Sequence, residues 1–179
     1  MSRTNPYKKK RRSAKTTLLV YGEGLSEEMF LKHLRGLYAY NSNAAITIKK
    51  GKGGTADAVV VDADKTVGAF DRKVVVLDND KEAVEMEKAR KEANERGIEL
   101  IENSPCLEAL LLSILMTSGS PKGKDSAACK RMFEENYMEK KKRTEPAEYL
   151  KVFPKALLEE RRKQVQELQA LILLMEGGL

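Results

Sequence analysis

Val74-Val75-Val76-Leu77-Asp78-Asn79-Asp80-Lys81 decides how this chain folds. Three valines and a leucine in a row predict a strand buried on both faces, as in a parallel sheet covered by helices. Two carboxylates follow, two residues apart. Strand side chains repeat every two residues, so Asp78 and Asp80 are expected to point the same way at the sheet's edge. Two unit charges about 4 Å apart repel by roughly 4 kcal/mol at an effective dielectric near 20. A bound cation removes that repulsion, and carboxylate oxygens are ligands that Mg²⁺ accepts. The plainer reading is an Asp-Asn-Asp turn that caps the next helix.

Outward from this strand, helix and strand signals alternate. Thr17–Tyr21 reads as a strand leading into the sharp loop Gly22-Glu23-Gly24. Ser26 is a good helix N-cap, with Glu27 and Glu28 in the favoured first turn and an apolar face continuing to about Tyr40. Ala45–Lys49 is a second strand, and Gly51-Lys52-Gly53-Gly54 a turn before a helix over about Ala56–Phe70. On the far side, Lys81–Arg96 is dense in helix formers, and Gly97 closes it. Ile98–Ile101 is a fourth strand. Asn103-Ser104-Pro105 then opens an unusually apolar helix, Cys106–Met116. This alternation predicts an open parallel α/β sheet of about four strands, with right-handed crossovers and flanking helices.

Residues 117–124 break the pattern, and helices are expected after them, over Ser126–Tyr137 and Lys155–Met175. The expected organisation is a disordered basic tail (1–15), an α/β domain (16–118) and a C-terminal helical extension (119–179). Leu157, Leu158, Val165, Leu168, Leu171 and Ile172 give the last helix an apolar face. That face either packs on the sheet or pairs with a second copy as a homodimer.

The net charge of +6 is concentrated in the tail. Seven of the 33 basic residues (Arg3, Lys8, Lys9, Lys10, Arg11, Arg12, Lys15) lie in residues 1–15, leaving 26 against 27 acidic ones. Such a tail points to a polyanion, most often nucleic acid, or else to a solubilising end. No apolar run is long enough to span a membrane, and none resembles a cleavable signal. Two cysteines are too few for a disulfide framework or a structural zinc site, so a reduced, cytoplasmic protein is expected. A single histidine, His33, excludes chemistry that needs two imidazoles. Any catalytic groups are therefore mainly carboxylates.

In an open parallel sheet, ligands sit beyond the carboxyl ends of the strands. Three loops deliver acidic residues there: Glu23 after the first strand, Asp78 and Asp80 after the central one, and Glu108 one turn into the apolar helix. Leu107, Ala109, Leu110, Leu111 and Leu112 surround Glu108, so its carboxylate is expected to be buried and to be ion-paired, protonated or holding metal.

A glutamate after the first strand and an Asp-X-Asp after a later one resemble the Toprim domain over residues 16–105. Within that group the chain most resembles RloB-like proteins. The matching stretches are Glu23-Gly24-Leu25-Ser26-Glu27 with Phe30, Leu77-Asp78-Asn79-Asp80, and Ser104-Pro105-Cys106-Leu107-Glu108 with its leucines. Asn103-Ser104 reverses that family's Ser-Asn order, and Leu107 and Ala109 stand where it has aromatics.

The resemblance implies that Glu23, Asp78 and Asp80 are catalytic and bind Mg²⁺ or Mn²⁺, with Glu23 alternatively a general acid or base. Glu108 is a further metal ligand or orienter. Glu27, Asn103 and Ser104 support the ligands. Lys52 and Lys81 help hold phosphate; separately, the charge of the tail points to Lys8, Lys9, Lys10, Arg11 and Arg12 as contacts to nucleic acid. The implied activity is metal-dependent hydrolysis of DNA or RNA, in a setting of bacterial or phage defence with other defence proteins as partners. The alternative is a non-catalytic module that binds nucleic acid through the same fold.

Overall fold

The computed structural model describes residues 15–116, 121 and 123–178. The basic tail, including Lys8, Lys9, Lys10, Arg11 and Arg12, lies outside the described residues, as does most of the predicted break at 117–124. Four strands form one all-parallel sheet: β1 (Thr16–Gly22), β2 (Ala44–Lys50), β3 (Arg72–Asp78) and β4 (Glu99–Asn103), in the order β2-β1-β3-β4. Helices α1 (Leu25–Tyr38), α2 (Ala56–Asp64) and α3 (Ala83–Glu95) make the crossovers, and α4 (Leu107–Leu115) follows the last strand. The chain is thus α/β, an open parallel sheet flanked by helices, with a C-terminal helical extension.

The period of two sorts the central strands between two cores. On one face, Leu18, Val20, Val74 and Val76 pack with α1 and α4. On the other, Leu19, Tyr21, Val75 and Leu77 pack with Val59, Val60 and Ala63 of α2 and Met86, Ala89 and Ala93 of α3. Burial on this face holds the valine-rich α2 helical against its own weak propensity. That helix stops at Asp64, short of the expected Phe70. Gly68 follows at φ +148°, a conformation that no helix contains.

The extension comprises α5 (Ser126–Asn136), a 3₁₀ segment (Lys140–Thr144), α6 (Pro146–Val152), α7 (Lys155–Arg161) and α8 (Gln166–Glu176). Phe133, Tyr149, Phe153, Leu158, Leu168 and Ile172 join the same core as α1 and α4. The rings of Phe30 and Phe153 meet edge-on at 5.5 Å. Val165, Leu168, Leu171 and Ile172 are buried within the chain itself, so this apolar face packs inward. The single helix expected over Lys155–Met175 is two helices, broken where Val165 turns extended. One straight helix of that length would run about 30 Å. The break instead folds the segment over the α1/α4 layer. Just before the break, Arg161 donates to the carbonyls of Ser113 and Met116, and Arg162 reaches across it to Gln169 and Glu176.

Candidate functional site

The connection from β1 runs to β2 on one side, and the chain then returns to β3 on the other. The carboxyl ends of β1 and β3 therefore flank the point where the strand order reverses, and loops diverge there to leave a crevice. Glu23 is the first residue beyond β1 and Asp78 the last of β3. Both line one cleft of about 390 Å³, together with Gly24, Ser26, Glu27, Gly53, Glu108, Lys130, Glu134, Lys140 and Arg143.

Each carboxylate has a distinct environment. Asp78 is 7 % exposed and accepts the backbone N–H of Leu107 at 2.8 Å. Glu23 Oε2 lies 3.4 Å from the backbone nitrogen of Asp78. Glu27 is also buried, and its Oε2 accepts the Gly24 N–H at 2.9 Å. That bond starts α1 at Leu25, so Gly24 is the N-cap where Ser26 was expected. Glu108 accepts Arg143 Nη1 at 2.7 Å, which selects the ion-paired state among the options for this buried acid.

Asp80 stands at the rim. Lys130 Nζ lies 3.4 Å from Asp80 Oδ2 and 4.0 Å from Asp78 Oδ2, so one ammonium spans the pair. Lys81 Nζ lies 3.6 Å from Glu23 Oε1 and 4.0 Å from Asp80 Oδ1. The other expected residues are set apart from the cleft wall. Asn103 is fully buried beneath the β3 end, where its carbonyl accepts the Asn79 N–H at 2.8 Å. Both polar atoms of the Asn103 side chain are buried without a partner. Ser104 and Lys52 are exposed, and only Gly53 of the glycine turn reaches the cleft.

Sequence reasoning missed Lys130, Glu134, Lys140 and Arg143, which the extension carries across the cleft mouth. The run Lys140-Lys141-Lys142-Arg143 was a visible signal of a cationic wall. Lys130 had none, because nothing local in Cys129-Lys130-Arg131 sets it apart from a solvated helix face.

Five carboxylates share the cleft with three cationic side chains. Burial, then the nearby Glu27, Glu108 and Glu23, push the Asp78 carboxyl up to about 8 against the hydrogen bond from Leu107. Burial, with Glu108 and Glu23, also raises Glu27. Burial alone would lower the Lys130 ammonium, yet the pull of Asp78, Asp80 and Glu108 leaves it raised.

The cleft is therefore short of positive charge at its buried end, which suits a cation. One ligand atom each from Asp78, Cys106 and Glu108 lies within 4.8 Å of the others. Burial pushes the Cys106 thiol up to about 12, so the neighbouring carboxylate oxygens are the readier donors to a metal ion. Hard oxygen donors fit Mg²⁺ or Mn²⁺.

Fold and cleft define an open, all-parallel α/β protein with a carboxylate-lined crevice that can hold a metal ion. No family model, curated protein or solved structure matches the chain. Among the described residues no helix is long and apolar enough to cross a membrane.

Proposed function

We propose that this chain is a Mg²⁺- or Mn²⁺-dependent phosphodiesterase acting on DNA or RNA, of the RloB-like Toprim kind its motifs resemble. One observation carries the reading. Glu23, Asp78 and Asp80, from the ends of two neighbouring strands, share two ammonium groups at the reversal point of the sheet. A setting in the cytoplasm, in bacterial or phage defence, accompanies the proposal and accords with Cys106 and Cys129 being free thiols.

Asp78 and Asp80 would hold the metal, with Glu23 opposite them. When bound, the metal supplies Lewis-acid polarisation of a phosphoryl oxygen and lowers the pKa of a coordinated water. Asp78 is oriented for this by the Leu107 N–H, which fixes one oxygen and leaves Oδ2 facing Lys130. The Glu23 side chain lines the cleft and is 18 % exposed, within reach of water there. Glu27 holds the Gly24 turn and so sets where Glu23 stands. Lys140 gives the cleft wall the sign that a phosphate backbone requires, while the Arg143 charge is taken up by Glu108.

The second reading is a binding module without turnover. It is favoured by Glu108 being already neutralised by Arg143. The deciding experiment incubates single- and double-stranded DNA and RNA with Mg²⁺ or Mn²⁺, using wild type and Asp78→Ala/Asp80→Ala. Cleavage by wild type alone, with binding retained in the variant, establishes the enzyme. Binding without cleavage by either protein establishes the module.

A further inference from the structure

Glu23, Lys81, Asp80, Lys130 and Asp78 form an unbroken chain of alternating charge along the rim of the cleft. Its four links are 3.6, 4.0, 3.4 and 4.0 Å long. These are loose contacts. Lys88 and Asp57 in the same protein meet at 2.6 Å, and Lys32 and Glu28 at 2.8 Å. The two ammonium groups are also accessible, with side chains 45 % exposed for Lys130 and 31 % for Lys81. Among the described residues neither has a carboxylate within 4 Å outside this chain. Each ammonium thus stands against two carboxylates, where a divalent ion would sit, and is held weakly enough to leave.

We propose that Lys130 and Lys81 are placeholder cations, which neutralise the carboxylates in the metal-free protein and pass to the substrate phosphate when the metal enters. This rests on the metal-binding reading above. A divalent cation on these carboxylates repels the two ammonium groups, whose loose contacts give way as the metal enters. Lys130 is anchored on α5, whose buried Cys129 and Phe133 fix the helix, and it remains at the cleft wall. Once displaced, it faces the cleft, where Glu134 one turn along α5 already stands 3.9 Å from Arg143, and a phosphodiester oxygen is a ligand that satisfies it. Metal and nucleic acid therefore bind with positive coupling, and the coupling is reciprocal. Lys130 opposes the first and assists the second.

The test measures Mn²⁺ binding to the full chain by calorimetry without nucleic acid, for wild type, Lys130→Gln, Lys130→Ala and Lys140→Gln. Lys140 lines the same cleft but spans no carboxylate pair, so it reports the general effect of removing one charge. Circular dichroism checks that each variant is folded. A mixed-sequence 20-nucleotide DNA or RNA strand is then titrated in Ca²⁺ and in EDTA.

The Lys130 variants should bind Mn²⁺ about two- to fivefold tighter than wild type, a modest gain because partly exposed ion pairs are weak. They should bind the oligonucleotide in Ca²⁺ more weakly by a similar factor, and in EDTA with a smaller change. Unchanged or weaker Mn²⁺ binding in folded Lys130→Gln overturns the placeholder role. Equal tightening by Lys140→Gln does so too. If the metal reading survives that result, wild type still shows Mn²⁺-dependent cleavage. If neither wild type nor any variant binds Mn²⁺, both readings fall.

Discussion

The backbone N–H of Leu107 donates to Asp78 Oδ1 across 2.8 Å, so a carboxylate at the end of β3 caps the helix that follows β4. The residue in the N-cap position of α4, Cys106, makes no side-chain cap of its own. The partial positive charge of that helix end holds Asp78 in place, while burial and three neighbouring glutamates work against its ionisation. Capping and charge repulsion can be separated by substitution.

Asp78→Asn keeps an oxygen that can accept from Leu107 and removes the acid whose ionisation burial opposes. It should raise Tm in EDTA and abolish stabilisation by Mn²⁺. Asp78→Ala loses the cap as well and should cost about 1 kcal/mol relative to Asp78→Asn. Thermal melts of both variants with and without Mn²⁺ check this. A lower Tm for the Asn variant in EDTA would show that the carboxylate's charge is a stabilising feature, against the argument here.

Gly22 sets how closely β1 approaches the start of α1. A Cβ at this position would lie 2.6 Å from Glu27 Cβ and 3.3 Å from the Glu28 backbone nitrogen. Gly22→Ala must push α1 away, moving Glu27 and with it Glu23. The expected loss is about 1–3 kcal/mol, the usual range for overpacking, together with weakened Mn²⁺ binding. Gly36→Ala is the control, since no atom lies within 4 Å of its added methyl. In a helix interior that change should stabilise by about 0.5–1 kcal/mol. Urea denaturation of the two variants distinguishes them, and equal stability would remove the close-approach argument.

The sheet was legible because its signals are local. Val74–Leu77 and Leu18–Val20 are apolar at every position, so each strand fills two cores, and the loops after them carry the acids. Glu108 was recognisable as out of place among leucines. Its partner Arg143, 35 residues away in sequence, was not. The opposite wall depends on how α5 and the Lys140–Thr144 turn fold back over α1 and α4, a long-range packing outcome with no local period. The start of α1 was misread because Ser26 has the better intrinsic capping chemistry. Glu27 reaching back to Gly24 decides the matter, and only the packed loop reveals it.

The six basic side chains among residues 1–14 should act as a phosphate-binding arm. Removing residues 1–14 spares Lys15, whose Nζ donates to the Ser42 carbonyl at 3.0 Å. Each phosphate contact contributes roughly 0.7–0.9 to the slope of log affinity against log salt. The truncated protein should bind a 20-nucleotide strand more weakly and with a slope shallower by about 3 or more if most of the six contact phosphate. Fluorescence anisotropy between low and moderate salt measures it. An unaltered slope would reduce the tail to a solubility device.

His33 ties α1 to the extension. Its Nε2 lies 2.8 Å from the Phe153 carbonyl oxygen, and its ring sits 6.1 Å from that of Tyr149. Burial lowers its pKa below the ordinary 6.5, although the bond to Phe153 pulls the other way. The folded chain therefore favours the neutral imidazole, donating from Nε2. Unfolding restores the ordinary value, so the unfolded chain takes up a proton first as pH falls. The stabilisation linked to His33 is complete above about pH 6.5 and is lost as pH falls through the lower folded value. His33→Gln keeps a donor for the Phe153 carbonyl and does not titrate. Its urea midpoint should fall less than that of wild type between pH 7.5 and pH 5. If the two proteins lose stability in parallel over that range, the pH response belongs to other groups.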